Sequence, residues 1–342
     1  MAAVDSFCDK KLENGILCGS FGCVVKVEDT ATKQYYAGKI SVGEVDSVLK
    51  LENEYKILKK LNLDKNENHI IQLKRKEDGN IEDLCDIKLA EDYDLQNEKG
   101  EILKKLTKGN EYKMMVMEYL SGGDLFDYVL QKRKIAIHRI FLQIIDAVEF
   151  CHSNNVYHLD IKLDNFVFTD HTYSTLKMID FGLAKEGDDI CISRQYPIGT
   201  PGFFAPELFS GKEISCSKCD IFSIGIVLLT MISPKIINTD KAGLNLYLKK
   251  DYETYVNKLR KSIEISNREE LTDELKFLLL YMITINPGDR YSVEQIKESN
   301  WYKGTKISAS ELQQLKEYDE MVGPYVAEQA QKGITNTTCI IS

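Results

Sequence analysis

At Ser121-Gly122-Gly123 the chain changes its hydrophobic period, and that switch limits the fold more than any other feature. Before it, short β-branched and apolar runs at 16–27, 35–40, 69–73 and 113–117 read as strands, with a turn around Asp29-Thr30-Ala31-Thr32. One segment there, 48–61, has helical spacing, with Leu51, Tyr55, Leu58 and Leu61 on a single stripe. About forty charge-rich residues separate the third and fourth runs, far more than a hairpin needs. After the switch the spacing is helical through 125–129, 137–152, 221–232, 247–263, 271–283 and 292–298. The 221–232 stretch is almost wholly apolar, as a central buried helix should be. A β-rich part followed by a helical part predicts an α+β chain of two lobes, joined near 118–123 with a cleft between them.

The 342 residues are 43% hydrophobic, enough for two such lobes. A formal net charge of -9 argues against a general nucleic-acid binder, which needs a basic face, and suits a basic peptide partner better. Nine scattered cysteines without a secretory leader point to a reducing, cytoplasmic setting. Cys216-Ser217-Lys218-Cys219 has the spacing of half a zinc site, but no second pair stands nearby, so ordinary buried thiols are preferred. The Asn336-Thr337-Thr338 sequon would not meet its enzyme without a leader. No apolar run reaches membrane-spanning length.

The chemistry is concentrated in Tyr157-His158-Leu159-Asp160-Ile161-Lys162-Leu163-Asp164-Asn165 and, after a short hairpin, Ile179-Asp180-Phe181-Gly182. Phosphoryl transfer from a metal-bound nucleotide needs such a set: a carboxylate for the proton of the attacking hydroxyl, a cation for the moving group, and an amide and a second carboxylate for magnesium. These two stretches resemble the catalytic and metal-binding loops of eukaryotic protein kinases. The resemblance covers roughly residues 10–303, with its motifs in order, and implies the bilobal protein kinase fold: a small β-rich N-lobe and a larger helical C-lobe. It divides the chain into an N-terminal extension (1–9), an N-lobe (10–117) with a charged insertion at about 75–111, a hinge (118–123), a C-lobe (124–303) and a C-terminal tail (304–342).

By the same resemblance Asp160 is the catalytic base, Lys162 neutralises the γ-phosphoryl, and Asn165 and Asp180 hold Mg2+. Cys18-Gly19-Ser20-Phe21-Gly22-Cys23-Val24 is similar to the glycine-rich loop over the phosphates of ATP, where missing side chains let backbone N–H groups approach. Gly19 and Gly22 match its second and third glycines, while Leu17 replaces the first. Lys39 matches the lysine on the α- and β-phosphates. Glu54 matches its partner glutamate, with Glu52 as a competing choice that a helical step of two turns to another face. Met117 would be the gatekeeper, the Glu118 carbonyl and the Leu120 backbone would meet adenine, and Val24, Ala37 and Val167 would sandwich the ring. Asp124 stands where an acid meets the ribose. Structural roles fall to Thr200 beside the catalytic pair, to a Glu207–Arg290 ion pair and to Asp220 as anchor of the catalytic loop.

Lys162 at its offset, and Gly199-Thr200-Pro201-Gly202-Phe203-Phe204-Ala205-Pro206-Glu207, resemble the form found in non-specific serine/threonine protein kinases, while Gly122-Gly123-Asp124-Leu125-Phe126 and Lys162-Leu163-Asp164-Asn165 resemble the calcium/calmodulin-dependent and Snf1-like kinases. Leu159 replaces the arginine that commonly pairs with an activation-loop phosphate, so activity is expected without phosphorylation at Ser193, Tyr196 or Thr200. Asp124 and Asp164 could receive an arginine before the target serine, or be solvated carboxylates. No calcium-binding loop is present in the sequence. Ser308-Ala309-Ser310-Glu311 reads as a capping box for a helix carrying Leu312, Leu315 and Val322.

The chain ends in Cys339-Ile340-Ile341-Ser342, a prenylation box whose serine favours a farnesyl group on Cys339. That implies prenylation machinery as a partner. One lipid without a basic cluster implies transient, reversible membrane contact. The rival readings are a pseudokinase acting as a lipidated scaffold, favoured by Leu17 and Leu159, and a small-molecule kinase, disfavoured by the Gly199–Glu207 peptide platform.

Overall fold

In the computed structural model the described residues are 4–5, 16–19, 22–29, 32–41, 45–63, 69–75, 85–87, 112–131, 135–192, 199–200, 202–232, 256, 259 and 271–317. The chain forms two units: 1–127 with 164–186, and 128–163 with 187–342. The charged run at 76–84 and 88–111, the helix expected at 247–263 (beyond the helical Val256 and Leu259), Ser193, Tyr196 and the tail with Cys339 lie outside the described residues.

Strand alternation in the first unit builds one antiparallel sheet from β1 (Val4–Asp5), β2 (Ile16–Gly19), β3 (Gly22–Glu28), β4 (Tyr35–Ile40), β5 (Cys85–Ile87) and β6 (Tyr112–Glu118). Both β1 and β2 pair with β3, and the sheet continues through β4 and β6 to β5. Cys23, Val25 and Val27 are buried on one face, as a period of two requires. Their neighbours form two rows on the other face: Val24 opposite Lys39 opposite Met115, and Lys26 opposite Ala37 opposite Met117. Helix α1 (Val45–Leu61) buries Leu51, Glu54, Ile57, Leu58 and Leu61, the stripe expected from spacings of three and four.

The run at 69–73 is not the regular strand its composition predicts. His69 has a positive φ of 54°, and the segment divides its backbone groups between two neighbours. Ile71 N–H donates to Met178 at 3.0 Å, whereas Gln72 carbonyl accepts from Glu118 N–H at 2.8 Å and Lys74 N–H donates to Val116 at 2.9 Å. Leu73 thus bridges Met117 of β6, and β5 resumes the same edge against Tyr112–Met114. One sheet edge is supplied by two stretches with residues 76–84 between them. The first unit also holds the hairpin β7 (Phe166–Phe168) and β8 (Leu176–Met178).

After α2 (Leu125–Gln131), the second unit packs α3 (Ile137–Ser153) against α4 (Cys216–Ile232), and α4 against α5 (Asp273–Met282). Every α4 residue from Cys219 to Ile232 is buried. The helix starts before its apolar run, and two residues of its first turn are buried: Cys216 and Cys219 are 0% and 2% exposed, and both are free thiols. A short ladder joins β9 (Cys191–Ile192) to β10 (Glu213–Ile214). Side-chain caps fix the later helices. Thr272 caps α5, and a Ser292–Gln295 capping box opens α6 (Val293–Glu298), which α7 (Asn300–Lys303) follows. The box read at Ser308 is present, with Ser308 N–H to Glu311 Oε2 at 2.8 Å and Glu311 N–H to Ser308 Oγ at 3.2 Å, and residues 309–317 are helical.

Candidate active site

In the first unit, β4 and α1 bring Lys39 to Glu54. Lys39 Nζ lies 2.6 Å from Glu54 Oε2 and 2.8 Å from Asp180 Oδ1. The other Glu54 oxygen accepts the Phe181 N–H at 3.2 Å. Glu52, on another face of α1, instead meets Lys113 at 2.5 Å. Asp180 has left-handed backbone angles, φ 62° and ψ 71°, which present its carboxylate to the lysine while its own chain continues into Phe181. Asn53, adjacent to Glu54, ties α1 to the same segment by donating to the Ala184 carbonyl at 3.1 Å.

Two carboxylates share one buried ammonium. Burial lowers the Lys39 pKa, but attraction and hydrogen bonds from Asp180 and Glu54 outweigh it, so the lysine stays charged. Burial pushes Glu54 up to about 7, against the pull of Lys39 and with the added repulsion of Asp180. A proton or a metal ion would relieve that crowding. Asp180 keeps a side chain that is 24% exposed, and Asn165 stands at the same end of the β7–β8 hairpin, its carbonyl accepting Ile179 N–H at 2.9 Å. One carboxylate and one amide oxygen suit Mg2+, which takes one or two such protein ligands and completes its shell with phosphate and water.

The nucleotide candidates lie on the same unit. Gly19 pairs with Gly22, and Leu17 with Val24, along the β2–β3 ladder. Val24, Ala37, Lys39 and Met117 occupy the one sheet face described above. Asp124 forms a bridge with Val167. Leu120 is buried. The Glu118 side chain, to which sequence reasoning assigned no role, holds Lys177 at 2.6 Å and the Gln72 N–H at 2.7 Å.

In the second unit, Thr200 joins the two catalytic candidates. Its Oγ1 donates to Asp160 Oδ1 and accepts from Lys162 Nζ, each at 2.8 Å, and Lys162 lies 3.2 Å from Asp160 Oδ2. Gly199 permits this approach. Its φ is +117°, and a Cβ there would stand 2.9 Å from the Leu159 carbonyl oxygen. Asp220 anchors the loop by accepting the N–H groups of His158 at 2.9 Å and Leu159 at 2.8 Å. Sequence reasoning missed His152, whose Nε2 lies 3.0 Å from the same carboxylate. No local motif signals it, because 68 residues separate the pair. Leu159 adopts φ +59°, unusual for a leucine, and brings no cation to the loop.

Residues 13–302 match the family described as Protein kinase domain. The chain belongs to the protein kinase domain family. This kinase domain is 28% identical to CBL-interacting protein kinase 28 of Oryza sativa subsp. japonica over 81% of the chain and 57% of the relative. It is 30% identical to CBL-interacting serine/threonine-protein kinase 24 of Arabidopsis thaliana, over 64% of the chain and 49% of the relative. It is also 30% identical to the carbon catabolite-derepressing protein kinase of Saccharomyces cerevisiae, over 83% and 38%. The chain thus spans about half the length of these curated relatives, or less. ATP and Mg2+ are the cofactors of the family. Among the described residues no helix is long and apolar enough to cross a membrane.

Proposed function

We propose that the chain is a serine/threonine protein kinase that moves the γ-phosphoryl group of ATP to a protein hydroxyl. The observation that carries this reading is the complete donor set: Lys39, Glu54, Asp180 and Asn165 on one unit, and Asp160, Lys162 and Thr200 on the other. Bound Mg2+ would supply charge neutralisation at the phosphates, held by Asn165 and Asp180.

Asp160 accepts the proton of the substrate hydroxyl as its oxygen bonds to the γ-phosphorus and the bond to the ADP oxygen breaks. Thr200 orients the Asp160 carboxylate, and Lys162 balances charge on the transferring oxygens. Lys39 holds the α- and β-phosphates, and Glu54 keeps it in place. The hairpin closed by Gly19 and Gly22 offers backbone N–H groups to the phosphates. Val24, Ala37 and Val167 grip the adenine ring, Met117 limits its pocket, and the backbone of Glu118 and Leu120 pairs with it.

Basic residues near the target serine belong to the same proposal. Burial raises the Asp124 pKa, an N–H from Asp127 opposes this, and the carboxylates of Asp127 and Asp164 add to the rise. An arginine would relieve that repulsion. Independence from activation-loop phosphorylation is likewise proposed, because Leu159 offers no partner for a phosphate. Where Ser342 is the natural carboxyl terminus, farnesylation of Cys339 would add reversible membrane contact, and Cys339→Ser would move the protein to the soluble fraction.

The test is phosphate transfer from magnesium ATP to an Arg-x-x-Ser peptide by wild type and Asp160→Asn. Wild type should transfer, and the variant should lose about 10²–10⁴-fold. Magnesium ATP binding without transfer to any peptide would favour the pseudokinase scaffold instead.

A further inference from the structure

Helix α1 is tied down at more than one point. Lys39 Nζ stands between Glu54 and Asp180, so the lysine keeps a carboxylate partner even if Glu54 moves away. The Lys39–Glu54 contact therefore does not by itself fix the helix. The chain after Asp180 supplies further ties. Phe181 N–H donates to Glu54 Oε1 at 3.2 Å, and Asn53 Nδ2 donates to the Ala184 carbonyl at 3.1 Å. Glu186 then takes two lysines at once, Lys56 through Oε2 at 2.9 Å and Lys60 through Oε1 at 3.1 Å.

Asn53, Lys56 and Lys60 follow one another at steps of three and four residues, the spacing of one helical stripe. With a rise of about 1.5 Å per residue, Lys60 stands about 9 Å further along the axis than Glu54. Ties at Glu54 alone would let α1 swing about that point, and a tie more than one turn away removes the swing. A single surface ion pair is worth little. Here both oxygens of one partly buried carboxylate are engaged, each by its own lysine. Lys56 above all, and Lys60 with it, hold the Glu186 carboxyl below its ordinary range, so it stays charged at neutral pH.

We propose that Glu186 is a positioning residue: its carboxylate fastens Lys56 and Lys60 of α1 to segment 181–186 and so keeps Glu54 on Lys39. The consequence for nucleotide binding rests on the proposed kinase reading; the hold on α1 does not. Glu186 acts through Lys39, the residue assigned to the α- and β-phosphates, so its influence falls on ATP rather than on the peptide. The charge that sets α1 is built into the chain, which agrees with activity that needs no added phosphate.

The full chain is compared with Glu186→Gln, which keeps the size of the side chain and removes its charge. Backbone hydrogen exchange over α1 should be faster in the variant. MgADP affinity should fall about fivefold, and KM for ATP should rise by the same factor while KM for the peptide and the melting temperature stay at wild-type values. Lys56→Glu with Lys60→Glu, facing the native Glu186, should weaken MgADP binding further, and adding Glu186→Lys to that pair should restore most of the loss. Unchanged exchange over α1 in Glu186→Gln would overturn the hold on the helix. Unchanged MgADP affinity, or a lower melting temperature with both KM values raised, would overturn the positioning role. No recovery in the charge-reversed variant would overturn ion pairing as its cause. Failure of wild type to bind MgADP would overturn the nucleotide reading and the effect built on it, with the exchange result still deciding the hold on α1.

Discussion

Each unit buries a glutamate against a cation, and the two pairs are built differently. Arg290 in the second unit uses its whole fork: both Glu207 oxygens, with Nη2 to Oε2 at 2.7 Å, plus the carbonyls of Lys218 and Thr284 at 2.9 Å. The guanidinium also lies over the Phe222 ring, 4.9 Å from its centroid. Every strong donor has found an acceptor within the protein. Lys39 in the first unit is a point charge between two carboxylates, one of them partly exposed. The first arrangement is closed and stabilises its surroundings; the second keeps unsatisfied electrostatic demand that a ligand can meet. Burial alone therefore does not separate architecture from chemistry, whereas the balance of donors and acceptors does.

Removing the closed pair should have the largest effect. Arg290→Ala leaves Glu207 buried without its partner, and a loss of about 3–5 kcal/mol in unfolding free energy is expected. Thermal melting and denaturant titration measure it; a melting temperature equal to wild type would erase the distinction drawn above. Lys39→Met should act in the opposite sense. Peptide phosphorylation should fall about 10²–10³-fold while the melting temperature stays close to wild type, because Glu54 can take up a proton. Parallel kinetics and melting on this variant sharpen the comparison, and a collapse of stability would blur it.

Glu54→Gln should be milder, lowering kcat/KM by roughly 10–100-fold through a misplaced Lys39. Steady-state kinetics on a peptide substrate reads this directly. The smallest effect is a dependence of stability on pH. Glu54 binds its proton more tightly folded than unfolded, since its pKa rises from 4.5 to about 7. Its contribution to stability is present at low pH and fades as pH climbs from 4.5 through 7. Lys39, raised from its ordinary 10.5, contributes stability that persists below that value and fades only above it. Between pH 5 and 8 wild type should lose melting temperature relative to Glu54→Gln; the reverse sign would show that attraction to Lys39 outweighs burial.

The sequence made the catalytic loop legible because its chemistry is local: Asp160, Lys162 and Asn165 sit at fixed offsets within one short stretch. The Lys39–Glu54 contact was also legible, since helical spacing separates Glu54 from Glu52. Contacts set by packing were hidden. His152 reaches Asp220 only because α3 lies against α4. The 69–73 run carried a strand composition, yet its backbone serves both β6 and the end of β8. The early start of α4 was hidden by a first turn that mixes serine and lysine with Cys216 and Cys219, and the burial of those two cysteines depends on neighbours elsewhere in the chain.

The sheet edge shared by residues 69–75 and β5 makes residues 76–84 a natural graft point. Register resumes at Cys85, so the ladder partners of β6 on both sides of that span are set by residues outside it. A fluorescent reporter spliced between Arg75 and Cys85 would ride on the edge of the sheet that carries Lys39, an opening for an optical biosensor of this unit.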